Sequence, residues 1–161
     1  MTGASDSDLA GCLNTARSTL GYYASIGKYG AVLANCGLER KVCTSTGQAE
    51  TYAMQSLMKD VEWLRRFLIE LGFPMSAPTR LQVDNAGVLQ QSTKVINHTA
   101  AKHYRIAQAY IRQACESWAT LVKCGSEENG SDIFTKALHS PLFVRHQLTI
   151  MGPQTPPSGE P

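Results

Sequence analysis

The chain predicts an α/β fold, a mixed sheet with helices packed on its faces, and three observations carry that expectation. Short runs rich in β-formers and punctuated by glycine come first, residues 21–26 (GYYASI) and 30–34 (GAVLA), and they suit a hairpin. Residues 49–71 follow with an apolar residue at every third or fourth position, the mark of an amphipathic helix, stopped by Gly72 with Pro74 beyond. After that, strand-like and helix-like segments alternate to near the end of the chain.

Taken in order, residues 1–8 read as a short, truncated strand, and residues 41–46 as a further edge strand after the hairpin. Residues 79–84 (TRLQVD) alternate as a strand does, with Leu81 and Val83 on one side and Gln82 and Asp84 on the other. Residues 86–91 form a short helix. Residues 99–119 form a long amphipathic one, with Ile106, Tyr110, Ala114 and Trp118 on its apolar stripe. Residues 120–124 make the next strand, and 131–138 open another helix. Residues 1–151 are read as one domain and residues 152–161, with four of the seven prolines, as a disordered Pro-rich tail.

Composition narrows the function classes. A chain of 161 residues with 43% hydrophobic and 17% charged content has the make-up of a globular domain, not of a disordered chain. The net charge of +2 does not by itself announce a nucleic-acid binder. Lys102, Arg105, Arg112 and Lys123 nevertheless outnumber Glu116 between 99 and 125, so the basic surface is expected on one helix and the strand after it. No run of eighteen apolar residues could span a bilayer, and no apolar core near the N-terminus resembles a signal peptide. The cysteines Cys12, Cys36, Cys43, Cys115 and Cys124 are odd in number and contain no CxxC pair, which fits a reducing, intracellular setting, cytoplasmic or nuclear. The same residues are expected to be core or incidental thiols, Trp63 and Trp118 core residues, and His98, His103, His139 and His146 mostly surface ones.

The acids are the best clue to chemistry. On the first long helix Met54, Leu57, Val61, Leu64, Leu68 and Leu71 form one apolar stripe, and Glu50 falls in its middle. A carboxylate aimed at a core is costly without a partner, so Glu50 either reaches water at the stripe's rim or faces a polar pocket. Asp84 ends a strand and precedes a short helix, where an ordinary N-cap would explain it equally well. Asp132 sits in the first turn of a helix, where the dipole alone favours an acid. Asp6 and Asp8 lie two apart and share a face of the first strand. Acids at strand ends and helix starts of an open sheet converge on one rim, and clustered carboxylates call for a hard divalent cation.

Several stretches, taken in order, resemble the ribonuclease H domain of copia-type retrotransposon polyproteins. They are Ser5-Asp6-Ser7-Asp8-Leu9-Ala10-Gly11, Arg17 to Tyr22, Ser45 to Ala53, Glu62 to Leu68, Val83-Asp84-Asn85, Lys102-His103, Tyr110-Ile111-Arg112 and Glu127 to Lys136. That resemblance implies a ribonuclease H-like fold, a five-stranded mixed sheet flanked by helices. It implies an endoribonuclease that cleaves the RNA strand of RNA–DNA hybrids with two Mg²⁺ ions, Mn²⁺ serving as a substitute. Carried over position by position, the metal-binding and catalytic acids are Asp6, Glu50, Asp84 and Asp132, while Asp8 matches an acid that is not a ligand. Asn85 and the backbone of residues 44–47 are candidates for the hybrid's minor groove, and Lys102, Arg105 and Arg112 for its phosphates. The implied partners are the hybrid and, in the same polyprotein, a reverse transcriptase domain, with no membrane. The alternative expectation is a catalytically silent retroelement relic that at most binds nucleic acid or a protein partner.

Overall fold

The structure, a computed structural model, describes residues 1–93 and 104–152. A five-stranded sheet has the order β3-β2-β1-β4-β5. Its strands are β1 (Thr2–Asp8), β2 (Thr19–Ser25), β3 (Ala31–Leu38), β4 (Thr79–Val83) and β5 (Ala119–Lys123). The first three form an antiparallel meander, and β4 and β5 add on in parallel. The helices are α1 (Thr46–Glu70), α2 (Ala86–Gln91), α3 (Arg105–Ser117) and α4 (Ser140–Met151), with 3₁₀ turns at Ser126–Glu128 and Gly130–Phe134.

The mixed sheet follows from the connections. Two short links return the chain antiparallel, whereas α1 and α3 carry it across a face so that β4 and β5 re-enter in parallel. β1 is therefore central, and all seven of its residues pair with β2, from Thr2 opposite Ser25 to Asp8 opposite Thr19. Its two faces differ in what covers them. Ser5 points toward Met54 of α1, 4.0 Å away, as does its cross-strand neighbour Tyr22, whose hydroxyl donates to Asp60 at 2.6 Å. Asp6 and its neighbour Gly21 point the opposite way, toward the Gly130–Phe134 turn.

The core lies between α1, α3 and the sheet, with Met54, Leu57, Met58, Val61, Leu81, Val83, Val88 and Ile111 all fully buried. Each such side chain contributes about 1.5–3 kcal/mol by leaving water. The start of α1 is tightly defined. Ser45 Oγ accepts from the Gln48 amide at 3.2 Å, while Gln48 Oε1 accepts from the Thr44 amide at 2.8 Å. This reciprocal cap sets the rotation of the helix, and with it the direction of Glu50. At the other end Gly72, at φ +89°, closes the helix as expected. Buried Arg65 donates to the carbonyls of Met75 and Ala77 and to Thr79 Oγ1, which ties the return loop to β4.

Several expectations are corrected. Residues 41–46 form no strand, because Thr44 and Ser45 are engaged in capping α1, and β3 is the edge. The helix expected over 131–138 is a 3₁₀ turn ending at Phe134, and α4 restarts at Ser140 with Pro141 in its first turn. On α3 the buried residues are Ala107, Gln108, Ile111 and Ala114; of the expected stripe, Ala114 is in the core and Tyr110 and Trp118 pack against it, whereas Ile106 is 84% exposed. Trp63 is not core: it lies on the outer face of α1, stacked on Phe67 at 5.5 Å. Trp118 is half-buried against the core. His146 is buried rather than a surface residue, His139 is exposed, and His98, His103 and residues 153–161 lie outside the described residues. Cys43 and Cys124 are buried, and all five thiols are free.

Candidate active site: an acidic cleft at the end of the sheet

The parallel β1–β4 ladder ends with Ala4 opposite Gln82, so that Asp6 of β1 and Asp84, just past β4, emerge on the same face two residues further along. Glu50 arrives from α1, across the other face. Carboxylate oxygens of Asp6, Glu50 and Asp84 all lie within 4.8 Å of one another. They open onto a cleft of about 360 Å³ whose walls include Asp6, Ser7, Glu50, Asp84, Asn85 and Lys136.

The N-cap explanation of Asp84 does not hold. The cap of α2 is its neighbour Asn85, whose Oδ1 accepts from the amides of Gly87 at 2.8 Å and Val88 at 3.2 Å. Asp84 is left to face the cleft, and its backbone carbonyl accepts from Lys123 Nζ on β5. The capping bonds engage Asn85 Oδ1, so its amide NH₂ is the group left for a ligand.

Glu50 is buried among like charges. Removal from water, then the carboxylates of Asp6 and Asp84, push its pKa up to about 8, against smaller pulls from the Ser7 hydroxyl and Lys136. Glu50 Oε2 and Ser7 Oγ both lack an aligned hydrogen-bond partner. Two buried polar atoms with unused hydrogen-bonding capacity thus line one cleft, a donor set that suits a bound cation.

Asp132 stands one step back from these three. The 3₁₀ turn that carries it is pinned to β1 by Asn129, which is fully buried and donates to the Ser5 carbonyl at 3.0 Å while accepting from Ser131. Burial and the Asp6 charge push the Asp132 carboxyl up to about 6, opposed by Lys136. Asp132 reaches Asp6 through that lysine: Lys136 Nζ lies 3.1 Å from Asp6 Oδ1 and 3.2 Å from Asp132 Oδ2. The Thr135 hydroxyl bonds to the other oxygen of Asp6, and Asp132 Oδ1 has no partner. Residue-by-residue reading missed the roles of Thr135 and Lys136. The spacing of Asp132 and Lys136, one helical turn, was the available signal.

The basic candidates are not gathered in the same way. Arg105 is exposed at the start of α3, next to Tyr104, whose ring meets Tyr52 of α1 edge-on at 6.4 Å. Neither Arg105 nor Arg112 borders the cleft, and Lys102 lies outside the described residues. Of residues 44–47, Thr46 borders the cleft.

Comparison with known proteins agrees with the fold. No protein-family model matches the chain. It is 29% identical over 139 residues to the retrovirus-related Pol polyprotein from transposon TNT 1-94 of Nicotiana tabacum, covering 86% of the chain and 10% of that protein. It is 26% identical over 155 residues to that from transposon RE2 of Arabidopsis thaliana, covering 96% of the chain and 11% of that protein. The chain thus spans about a tenth of the length of these curated relatives. Among solved structures it superposes on LC11-RNase H1, isolated from compost, with TM-score 0.63 and 14% identity over 83% of this chain and 91% of that one. The same enzyme, crystallised with an RNA/DNA hybrid, gives 0.62 and 12% identity over 83% and 92%. RNase H1 from Halobacterium salinarum NRC-1 gives 0.57 and 16% identity over 83% and 92%. The chain has the ribonuclease H fold and is homologous to a segment of the retrovirus-related Pol polyproteins of plant transposons.

Proposed function

We propose that the chain is a metal-dependent ribonuclease H domain that hydrolyses the RNA strand of RNA–DNA hybrids, with Asp6, Glu50, Asp84 and Asp132 as its metal-binding, catalytic acids. The observation that carries this reading is the convergence of three carboxylates from β1, α1 and the end of β4, within 4.8 Å, around a partnerless Glu50 oxygen. An all-oxygen donor set of this charge fits Mg²⁺, or Mn²⁺ in its place. Two such ions, when bound, lower the pKa of a water that attacks the phosphodiester and stabilise the leaving oxygen.

The chain's own part is positioning and charge. Asp6 is held by its pairing with Gly21 of β2 and by Thr135 and Lys136 on its two oxygens, so its carboxylate presents fixed oxygens. Glu50 and Asp84 approach it from different elements, which keeps like charges together that would separate in a flexible loop. The NH₂ of Asn85, at the cleft wall, is placed to donate to a base edge or sugar oxygen. Arg105 and Arg112, and Lys102 in the sequence between α2 and α3, supply phosphate contacts away from the chemistry, with affinity that falls steeply as salt rises. RNA is distinguished from DNA by its 2′-hydroxyls and by groove shape rather than by base sequence. A reverse transcriptase domain in the same polyprotein fits the relatives' length and would extend the grip on the hybrid.

The test is cleavage of a labelled RNA–DNA hybrid. Wild type with Mg²⁺ nicks the RNA strand and Asp84→Asn does not. Equal inertness of both at low salt and excess protein would favour the silent, binding-only alternative, and preferred digestion of duplex DNA would indicate a different nuclease.

A further inference from the structure

We propose that Lys136 is a built-in counter-cation that holds the place of a divalent ion between Asp6 and Asp132, so that a second ion binds only as the Lys136 side chain leaves. This rests on the metal-dependent reading above and concerns how that site fills. Four observations carry it. The ammonium sits at hydrogen-bonding distance from both carboxylates, 3.1 Å from Asp6 Oδ1 and 3.2 Å from Asp132 Oδ2, and so screens one from the other. Both carboxylates are more than nine-tenths buried, where mutual repulsion is weakly damped by solvent. Lys136 itself is 39% exposed, on a long flexible stem, and can withdraw into the cleft without opening the core. The Asp6, Glu50 and Asp84 group needs no such exchange, because among the described residues no ammonium or guanidinium lies within salt-bridge distance of the Glu50 or Asp84 carboxylate.

The two halves of the site are therefore unequal. An ion taken by Asp6, Glu50 and Asp84 displaces the proton of Glu50, but among the described residues no ammonium bridges two of those three carboxylates. An ion that needs Asp6 together with Asp132 competes with the ammonium for Asp6 Oδ1, since Thr135 holds the other oxygen. Competition between two cations for one group is a negative coupling, of the size usual between linked sites, about 5- to 150-fold in affinity. The displaced ammonium stays at the cleft wall, where it meets the phosphate of a bound strand, so ion entry and substrate charge are linked through one side chain.

The experiment titrates Mn²⁺ into the full chain, counting bound ions by electron paramagnetic resonance, for wild type, Lys136→Met and Lys136→Arg. Wild type is expected to bind one ion well and the second about 5- to 150-fold more weakly. Lys136→Met takes both at similar affinity, and Lys136→Arg resembles wild type. In thermal unfolding with a chelator, Lys136→Met melts below wild type, and Mg²⁺ raises its Tm by more than it raises that of wild type. Equal two-ion affinity in wild type and Lys136→Met, or an equal Mg²⁺ shift, overturns the proposal. Absence of ion binding in every variant instead contradicts the metal-dependent reading itself. Wild type gives an independent readout should Lys136→Met not fold: the Lys136 ¹⁵Nζ resonance should move at the second step of the titration, and a resonance unmoved through both steps overturns the proposal.

Discussion

Gly21 lies directly opposite Asp6 in the β1–β2 ladder, and a β-carbon there would come within 2.6 Å of Phe134 Cβ and 2.8 Å of Thr135 Cγ2. The missing side chain is what lets the Gly130–Phe134 turn lie against the sheet and bring Thr135 and Lys136 onto Asp6. Gly21→Ala is expected to push that turn outward. Its cost in stability should be that of overpacking, about 1–3 kcal/mol, read from urea unfolding. Hybrid cleavage and Mn²⁺ affinity should fall as well, whereas an equally overpacked site far from the cleft would lower stability alone.

Neighbouring residues Asp84 and Asn85 divide two tasks that the sequence leaves ambiguous between them. Asn85→Ala removes the cap of α2 and should cost about 0.5–2 kcal/mol in denaturant unfolding. Asp84→Asn should leave stability unchanged or raised, because it removes one negative charge from the cluster. The same substitution should abolish binding of the ion held by Asp6, Glu50 and Asp84, so the two variants separate helix capping from metal binding.

Asn129 is the pin of the fourth acid. Replacing it by Ala leaves the Ser5 carbonyl and the Ser131 amide without their partner in a buried place, at a cost of about 1–3 kcal/mol, measurable by unfolding. Release of the turn should weaken the second Mn²⁺ step more than the first, since Asp132 moves with it and the Asp6, Glu50 and Asp84 group does not.

The metal-free protein should be more stable in mild acid than at pH 8.5. Glu50 keeps its proton up to about 8 in the folded chain but only to its ordinary 4.5 when unfolded. Asp132, raised to about 6, acts in the same direction between pH 4 and 6. The folded state thus binds more protons, and this contribution, complete below pH 4.5, is lost as pH rises through 8. Lys136, held above its ordinary pKa by Asp6 and Asp132, acts in the same direction, but only in strong alkali as its own proton is lost. Thermal unfolding in chelator from pH 5 to 8.5 should show a falling Tm for wild type and a flatter profile for Glu50→Gln. Ion binding must expel the Glu50 proton, so Mg²⁺ should reverse the loss, and its affinity should rise with pH up to about 8.

Much of the fold was legible because it is written in local pattern. The hairpin of β2 and β3, the helix that ends at Gly72, the helix Ala86–Gln91 and the strands β4 and β5 follow from glycine placement and hydrophobic period. Glu50 stood out because its position on the apolar stripe of α1 conflicts with its charge. What local pattern could not carry was the relation between distant segments. Trp63 and Ile106 look like core residues by type, yet which face of a helix is inward depends on its partner, and both are exposed. The cap role of Asn85 and the bridge through Lys136 depend on where side chains end up after the sheet has formed, so residue order alone left Asp84 and Asp132 open to ordinary helix-start explanations.

Crystals of the wild-type chain soaked in Mn²⁺ and measured at the manganese absorption edge put the central claim to its most direct test. The structure predicts an anomalous peak in the cleft bonded to oxygens of Asp6, Glu50 and Asp84, at about the 2.0–2.2 Å of such bonds, and lost in Asp84→Asn. A cleft with no peak at millimolar Mn²⁺, or a peak that persists unchanged in Asp84→Asn, would contradict it.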